Sequence, residues 1–225
     1  MRKGLTEVVF ILDRSGSMSG LEADTIGGFN SMLQKQKKDN EGDVLISTVL
    51  FDDVSDVLYD RVPIKNIRPM TDREYYVRGC TALLDAVGGA IHHIGKAQKA
   101  AGFDRPEKTL FIITTDGMEN ASTIYDYKQV KKMVEKKEKK GWEFLFLGAN
   151  IDAAKEAGKF GIRAERAVNY ECDSVGTAVN YHALSQAVSA VRRSKNSAEM
   201  GAAVNACCAP INADYQNRHG KTVRK

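Results

Sequence analysis

Asp13-Arg14-Ser15-Gly16-Ser17 follows directly on the apolar run Val8-Val9-Phe10-Ile11-Leu12. A carboxylate and two hydroxyls at every second position, on a loop leaving a buried strand, gather hard oxygen donors around one point. Small hard cations such as Mg²⁺ take oxygen ligands in near-octahedral array. Gly16 allows a turn tight enough to bring both hydroxyls to one side. Asp, Ser and Gly also populate ordinary strand-to-helix turns, so the pentapeptide needs support from elsewhere in the chain. Two later segments supply it. Gly79-Cys80-Thr81-Ala82-Leu83 places a hydroxyl at a helix start, and Thr114-Thr115-Asp116-Gly117 ends a second apolar run on a carboxylate.

The elements that must position these residues follow from hydrophobic periodicity. Val8–Leu12 is continuously apolar, as befits a strand buried on both faces. Ile26, Phe29, Met32 and Leu33 have helical spacing. Val44–Phe51 reads as a strand, and Asp52-Asp53 turns it into Val54–Tyr59 as a hairpin. Residues 61–78, with prolines at 63 and 69, read as loop. Leu83, Val87, Ala90, Ile91 and Ile94 stripe a helix. Gly88-Gly89 within it costs roughly 1 kcal/mol per residue relative to Ala, a cost that close helix-on-sheet approach would offset. Thr109–Thr115 is a strand, and Ile124, Tyr127, Val130, Met133 and Val134 form an amphipathic helix. Its basic tail, residues 136–140, reads as a solvated helix end favoured by the dipole. A strand at Glu143–Leu147, a short helix at Ala153–Lys159, a weak strand at Ala167–Tyr170 and a helix striped by Tyr181, Leu184, Val188 and Val191 complete the pattern.

Such alternation implies an α/β fold with a mostly parallel sheet and helices on both faces. The expected architecture is doubly wound and Rossmann-like: six strands in the order 3-2-1-4-5-6, the third antiparallel at the edge. Ligands of such sheets bind beyond the carboxyl ends of the strands where the order reverses, between strands one and four. Those are the strands ending at Asp13 and Asp116. Residues 1–195 are expected to form one domain, and 196–225 a loose, partly disordered extension.

The ordered set Asp13-x-Ser15-Gly16-Ser17-Met18, Thr81 and Asp116-Gly117 resembles the von Willebrand factor type A domain family, which includes the integrin inserted domains. The resemblance covers about residues 5–190. It implies a metal ion-dependent adhesion site in which Ser15 and Ser17 bind the ion through their hydroxyls. Thr81 would bind it directly or through water, and Asp13 and Asp116 would hold coordinated waters. The ion implied is Mg²⁺, with Mn²⁺ or Ca²⁺ as alternatives. The activity implied is non-enzymatic capture of a partner protein's Asp or Glu side chain. Relatives of the stand-alone prokaryotic kind work beside AAA-type ATPases or in stress systems, so such a component is an expected partner.

Bulk properties constrain the class. The chain has 225 residues, 43% hydrophobic and 28% charged, with a formal net charge of +4, too small to argue for nucleic acid or an anionic membrane. The N-terminal apolar stretch is only a strand long and Asp13 breaks it, so no signal peptide or membrane span is expected. Cys80, Cys172, Cys207 and Cys208 lack metal-ligand spacing and read as reduced thiols, which points to the cytoplasm. His92-His93 reads as surface, and Trp142 and Phe144 as core. Glu119, Asn120 and Asp52-Asp53 lie on loops that should reach the same sheet end as the motif. A metal-dependent hydrolase or phosphoryl-transfer enzyme is the alternative reading, but no GxxxxGK[ST] or GxGxxG is present. Nucleic-acid binding through the basic tail (Arg218, His219, Lys221, Arg224, Lys225) is a further alternative, without aromatic interleaving to support it.

Overall fold

The computed structural model describes residues 1–219. β1 (Arg2–Asp13) and β4 (Pro106–Thr115) lie side by side at the centre of the sheet, with β2 (Asp43–Phe51), β3 (Ser55–Pro63), β5 (Trp142–Gly148) and β6 (Ala167–Asn169) outside them. The order is β3-β2-β1-β4-β5-β6. All neighbours pair in parallel except β3, which turns back antiparallel on β2. The expected architecture is the observed one.

Helices cover both faces: α1 (Glu22–Lys38), α5 (Ser174–Arg193) and α6 (Ser197–His219) on one, and α2 (Leu83–Ala101), α3 (Tyr127–Glu138) and α4 (Ala153–Lys159) on the other. Strand alternation divides the core accordingly. Val8, Phe10 and Leu12 pack with Phe29, Leu184 and Val188, whereas Val9 and Ile11 pack with Val87, Ile91 and Val130. Two buried layers around one sheet explain why β1 and β4 read as unbroken apolar runs. Capping fixes the helix starts. Asp126 and Gln129 form a reciprocal capping box on α3, and the Asp152 and Asp173 carboxylates cap α4 and α5. Among the described residues no helix is long and apolar enough to cross a membrane.

Several sequence expectations change. The loose extension expected from residue 196 is, over Ser197–His219, a helix that buries Met200, Val204, Cys207 and Ile211 against the α5 side of the core. The basic residues Lys221, Arg224 and Lys225 lie outside the described residues. Ile124 is not on α3's buried face but 71% exposed in the loop before it. Gly88 makes room for a side chain rather than for the sheet: a Cβ there would lie 2.6 Å from the Tyr125 ring, while one at Gly89 would meet nothing within 4 Å. His92 and His93 are exposed, and Trp142 and Phe144 are buried, as the sequence suggests.

Candidate metal centre

The parallel register sets Leu12 beside Thr114, so β1 and β4 end together and release Asp13 and Asp116 into the same crevice. Asp13, Ser15, Thr81 and Asp116 are almost fully buried, while Ser17 is exposed and leaves the site open to solvent. The oxygens form a connected set. The Ser15 and Ser17 Oγ atoms are 3.1 Å apart, and Ser17 Oγ donates to Asp116 Oδ1. Asp13 Oδ1 accepts the Ser15 N–H at 2.7 Å, and Asp13 Oδ2 accepts the Thr115 hydroxyl at 2.6 Å. Thr81 joins from α2's side. A Cβ placed on Gly117 would lie 3.5 Å from Thr81 Oγ1 and 3.6 Å from Ser17 Oγ, so the missing side chain leaves a small cradle bounded by both hydroxyls. All five residues named from sequence therefore meet at one place.

Buried side chains hold the loop from behind. Arg14 turns away from the site and places its guanidinium Nε 2.7 Å from Asp52 Oδ2, with Asp56 as a second partner. Its side chain is 2% exposed and that of Asp52 is 0% exposed. Arg78 also donates to Asp52 Oδ2, at 2.8 Å. Gly16 N–H donates to Gly79 O, and the Tyr75 hydroxyl donates to the Asp13 carbonyl. Asn120 clamps Thr81, accepting its N–H at 2.9 Å and donating to its carbonyl at 3.0 Å. Glu119 accepts the Leu84 N–H in α2's first turn, a carboxylate placed where the helix dipole favours it. Glu119 and Asn120 thus set Thr81 and its helix. Asp52 is a buried anchor rather than a rim residue.

Sequence reasoning missed Arg14, Tyr75, Thr115 and Cys172 as members of this neighbourhood. Thr115 adjoins Asp116, and its position was the only available signal. Cys172 Sγ lies 3.8 Å from Asp116 Oδ2, and burial pushes its thiol up to about 12, with the Asp116 charge adding to the shift. A thiol so held is a weak donor, not a nucleophile.

The electrostatics are those of a site short of positive charge. Burial raises the Asp13 carboxyl above its ordinary range against the hydrogen bonds from Ser15 and Thr115, and the Asp116 charge raises it further. Burial likewise raises Asp116, partly offset by Ser17. Among the described residues neither carboxylate has a Lys, Arg or His within ion-pair distance; the nearest basic side chain in sequence, Arg14, is committed to Asp52 and Asp56. No three His, Cys, Asp or Glu side chains gather into a metal-binding group among the described residues. A cation here would have two carboxylates and three hydroxyls to draw on, a donor set that suits hard ions.

Solved structures align with most of this chain at low sequence identity. The von Willebrand factor domain of the type V pili tip protein Mfa5 from Porphyromonas gingivalis matches with a TM-score of 0.57 and 10% identity, over 85% of this chain and 97% of its own. A von Willebrand factor type A structure from Catenulispora acidiphila matches with a TM-score of 0.54 and 15% identity, over 82% of this chain and 42% of its own. This chain has a von Willebrand factor type A-like fold. The same fold aligns with the pilus adhesin SpaC from Lactobacillus rhamnosus GG in its open conformation, with a TM-score of 0.62 and 11% identity, over 82% of this chain and 30% of that one. The chain spans less than two thirds of the length of several of the structures it matches. No family profile and no curated protein sequence matches it. The likeness therefore establishes the type A-like architecture.

Proposed function

We propose that this chain is a non-enzymatic, metal-dependent protein-binding domain. Asp13, Ser15, Ser17, Thr81 and Asp116 would hold a divalent cation, Mg²⁺ first, with Mn²⁺ or Ca²⁺ as alternatives. The observation that carries the reading is the convergence of two buried carboxylates, without a cationic partner among the described residues, and three hydroxyls beside the Gly117 cradle. A bound dication supplies positive charge that neutral hydroxyls and water leave largely unneutralised, and so attracts an incoming carboxylate.

The residues divide the work. Asp13, fixed by Ser15 N–H and the Thr115 hydroxyl, orients the loop. Asp116 orients Ser17 through its hydroxyl. Asn120 keeps Thr81 at the crevice, and exposed Ser17 and half-buried Gly117 leave an approach for a partner's Asp or Glu. Cys172, held protonated beside Asp116, is not poised as a nucleophile. A pilus adhesin and a pili tip protein domain among the structural neighbours agree with an interaction role. An AAA-type ATPase or stress-system component in the cytoplasm remains the partner class that the sequence resemblance suggests.

The test is affinity capture by the wild-type chain with Mg²⁺, by the same chain with EDTA, and by Asp13→Ala with Mg²⁺. The reading expects a partner held only in the first sample. Partners retained equally in all three would contradict metal-bridged capture.

A further inference from the structure

At the opposite, amino-terminal end of the sheet, a cleft of about 460 Å³ opens where α2 and α3 end and where β4 and β5 begin. Four cations from three segments line it: Lys99 of α2, Arg105 before β4, and Lys137 of α3 with Lys140 just beyond it. Among the described residues none of the four has a carboxylate within ion-pair distance, although the chain's other arginines and lysines supply most of its ion pairs. The one acidic side chain lining the cleft, Glu107, accepts the Gly4 N–H. Glu7, deeper in, is already taken by Arg61 and Gln98.

The helix-end reading of residues 136–140 accounts for part of this charge but not for all of it. Two helix C-termini contribute about −0.5 each, and Glu107 contributes one further negative charge. Against four full cations this leaves an excess of about two positive charges, and Arg105 lies on no α-helix at all. The cleft is also shaped around an ammonium. Lys137 Nζ lies over the Trp142 indole, 4.1 Å from its centroid. It can lie there only because position 95 is glycine: a Cβ at Gly95 would fall 2.3 Å from that nitrogen. Burial lowers the Lys137 pKa, and the Lys140 and Lys136 charges lower it further, the strain expected where like charges share a cleft without a counter-ion.

We propose that this cleft is a binding site for a small polyanion carrying linked phosphate groups, of pyrophosphate to nucleoside-triphosphate size. The volume falls within the range of small-molecule sites. The pairing of an arginine fork with lysine point charges suits phosphate oxygens. Gln98 and Thr109, which also line the cleft, are bonded to each other and leave the ligand to the four cations. Trp142 is buried and covered by Lys137, so no aromatic face is free for the base stacking that single-stranded nucleic acid uses. The site lies at the other end of the strands from Asp13 and Asp116 and does not depend on a metal there.

Trp142 is the chain's single tryptophan, so its fluorescence reports the cleft directly. Pyrophosphate, tripolyphosphate and ATP are titrated into the full chain with EDTA at about 0.15 M salt, followed by calorimetry and by Trp142 emission. Saturable binding is expected for tripolyphosphate, weakened about tenfold or more in Lys137→Gln and in Arg105→Gln and unchanged in Asp13→Ala. ATP binding as tightly as tripolyphosphate, or more tightly, supports the proposal, the second result adding a nucleoside contact. Absence of both heat and emission change for all three anions would overturn it. So would affinities unaltered in both variants, or tighter binding of generic single-stranded DNA.

Discussion

Asp52→Ala should destabilise the protein far more than its place in a turn between two strands suggests. The carboxylate is 0% exposed and accepts from Arg14 Nε at 2.7 Å, Arg78 Nε at 2.8 Å and the Val54 N–H at 2.9 Å. Removing it leaves the Arg14 guanidinium, 2% exposed, with the half-exposed Asp56, a 3.4 Å contact to the Glu74 carbonyl and the Tyr76 ring 5.3 Å away. Breaking a buried pair by deleting one partner costs about 3–5 kcal/mol. Because Asp56 remains, we place the loss near the lower bound, about 3 kcal/mol, a large part of a domain's total of about 5–15 kcal/mol. Arg78→Ala is the matched comparison. Its side chain is 42% exposed and the Arg14–Asp52 pair survives its loss, so its effect should be much smaller. Urea unfolding of the three proteins, with unchanged slopes, measures the difference. Equal and small midpoint shifts for both variants would refute the claim that a buried ion pair anchors the 13–17 loop.

Further outcomes rest on the same geometry. Gly88→Ala should destabilise by about 1–3 kcal/mol through collision with the Tyr125 ring, whereas Gly89→Ala should stabilise by about 0.5–1 kcal/mol; thermal unfolding of the two variants separates them. Ile211→Ala should cost about 2–5 kcal/mol, since the side chain is 1% exposed in the core; an unchanged denaturation midpoint would show that α6 does not pack as described. Asp13 and Asp116 have raised folded-state values, so the metal-free protein binds protons more readily folded than unfolded and gains stability from these groups as pH falls through that window. Asp52 works in the opposite sense: burial alone would raise its carboxyl, but the hydrogen bonds from Arg78, Val54 N–H and Arg14 hold it below its ordinary value. Its contribution is present above the unfolded carboxylate range and disappears as pH falls through the folded one. Protons also compete with a cation at Asp13 and Asp116, so any Mg²⁺-induced rise in Tm should shrink as pH falls into the raised range of these carboxyls. A rise that persisted undiminished would place the ion elsewhere.

Sheet order and the meeting of Asp13, Ser15, Ser17, Thr81 and Asp116 at one sheet end were legible because both depend on local pattern. β1 and β4 are buried on both faces and so are apolar without interruption, and each ends on a carboxylate at the point where the chain must leave the core. The supporting side chains were not legible for a different reason. Arg14 sits between two motif residues, but its partners Asp52 and Asp56 arrive from 38 and 42 positions away, and nothing in its own neighbourhood marks it as buried. Cys172 meets Asp116 only because β6 and α5 return the chain to the crevice. α6 failed for want of contrast. Its surface is small and Ala-rich on all sides, and Pro210 lies inside it, a residue that ordinarily breaks helices. The signal was the 200, 204, 207, 211 spacing of Met, Val, Cys and Ile, a single apolar stripe masked by the polar residues that follow. The basic run at 136–140 misled differently: its local reading as a helix end is sound, but Lys99 and Arg105 reach the same cleft from other segments.

The most direct measurement is calorimetric titration of Mg²⁺ and Mn²⁺ into the wild-type chain and into Asp13→Ala. The account predicts saturable one-site binding in the wild type and its loss in the variant, with the variant still folded by circular dichroism. Negligible heat in both proteins, or the same affinity in both, would contradict the assignment of a cation to Asp13, Ser15, Ser17, Thr81 and Asp116.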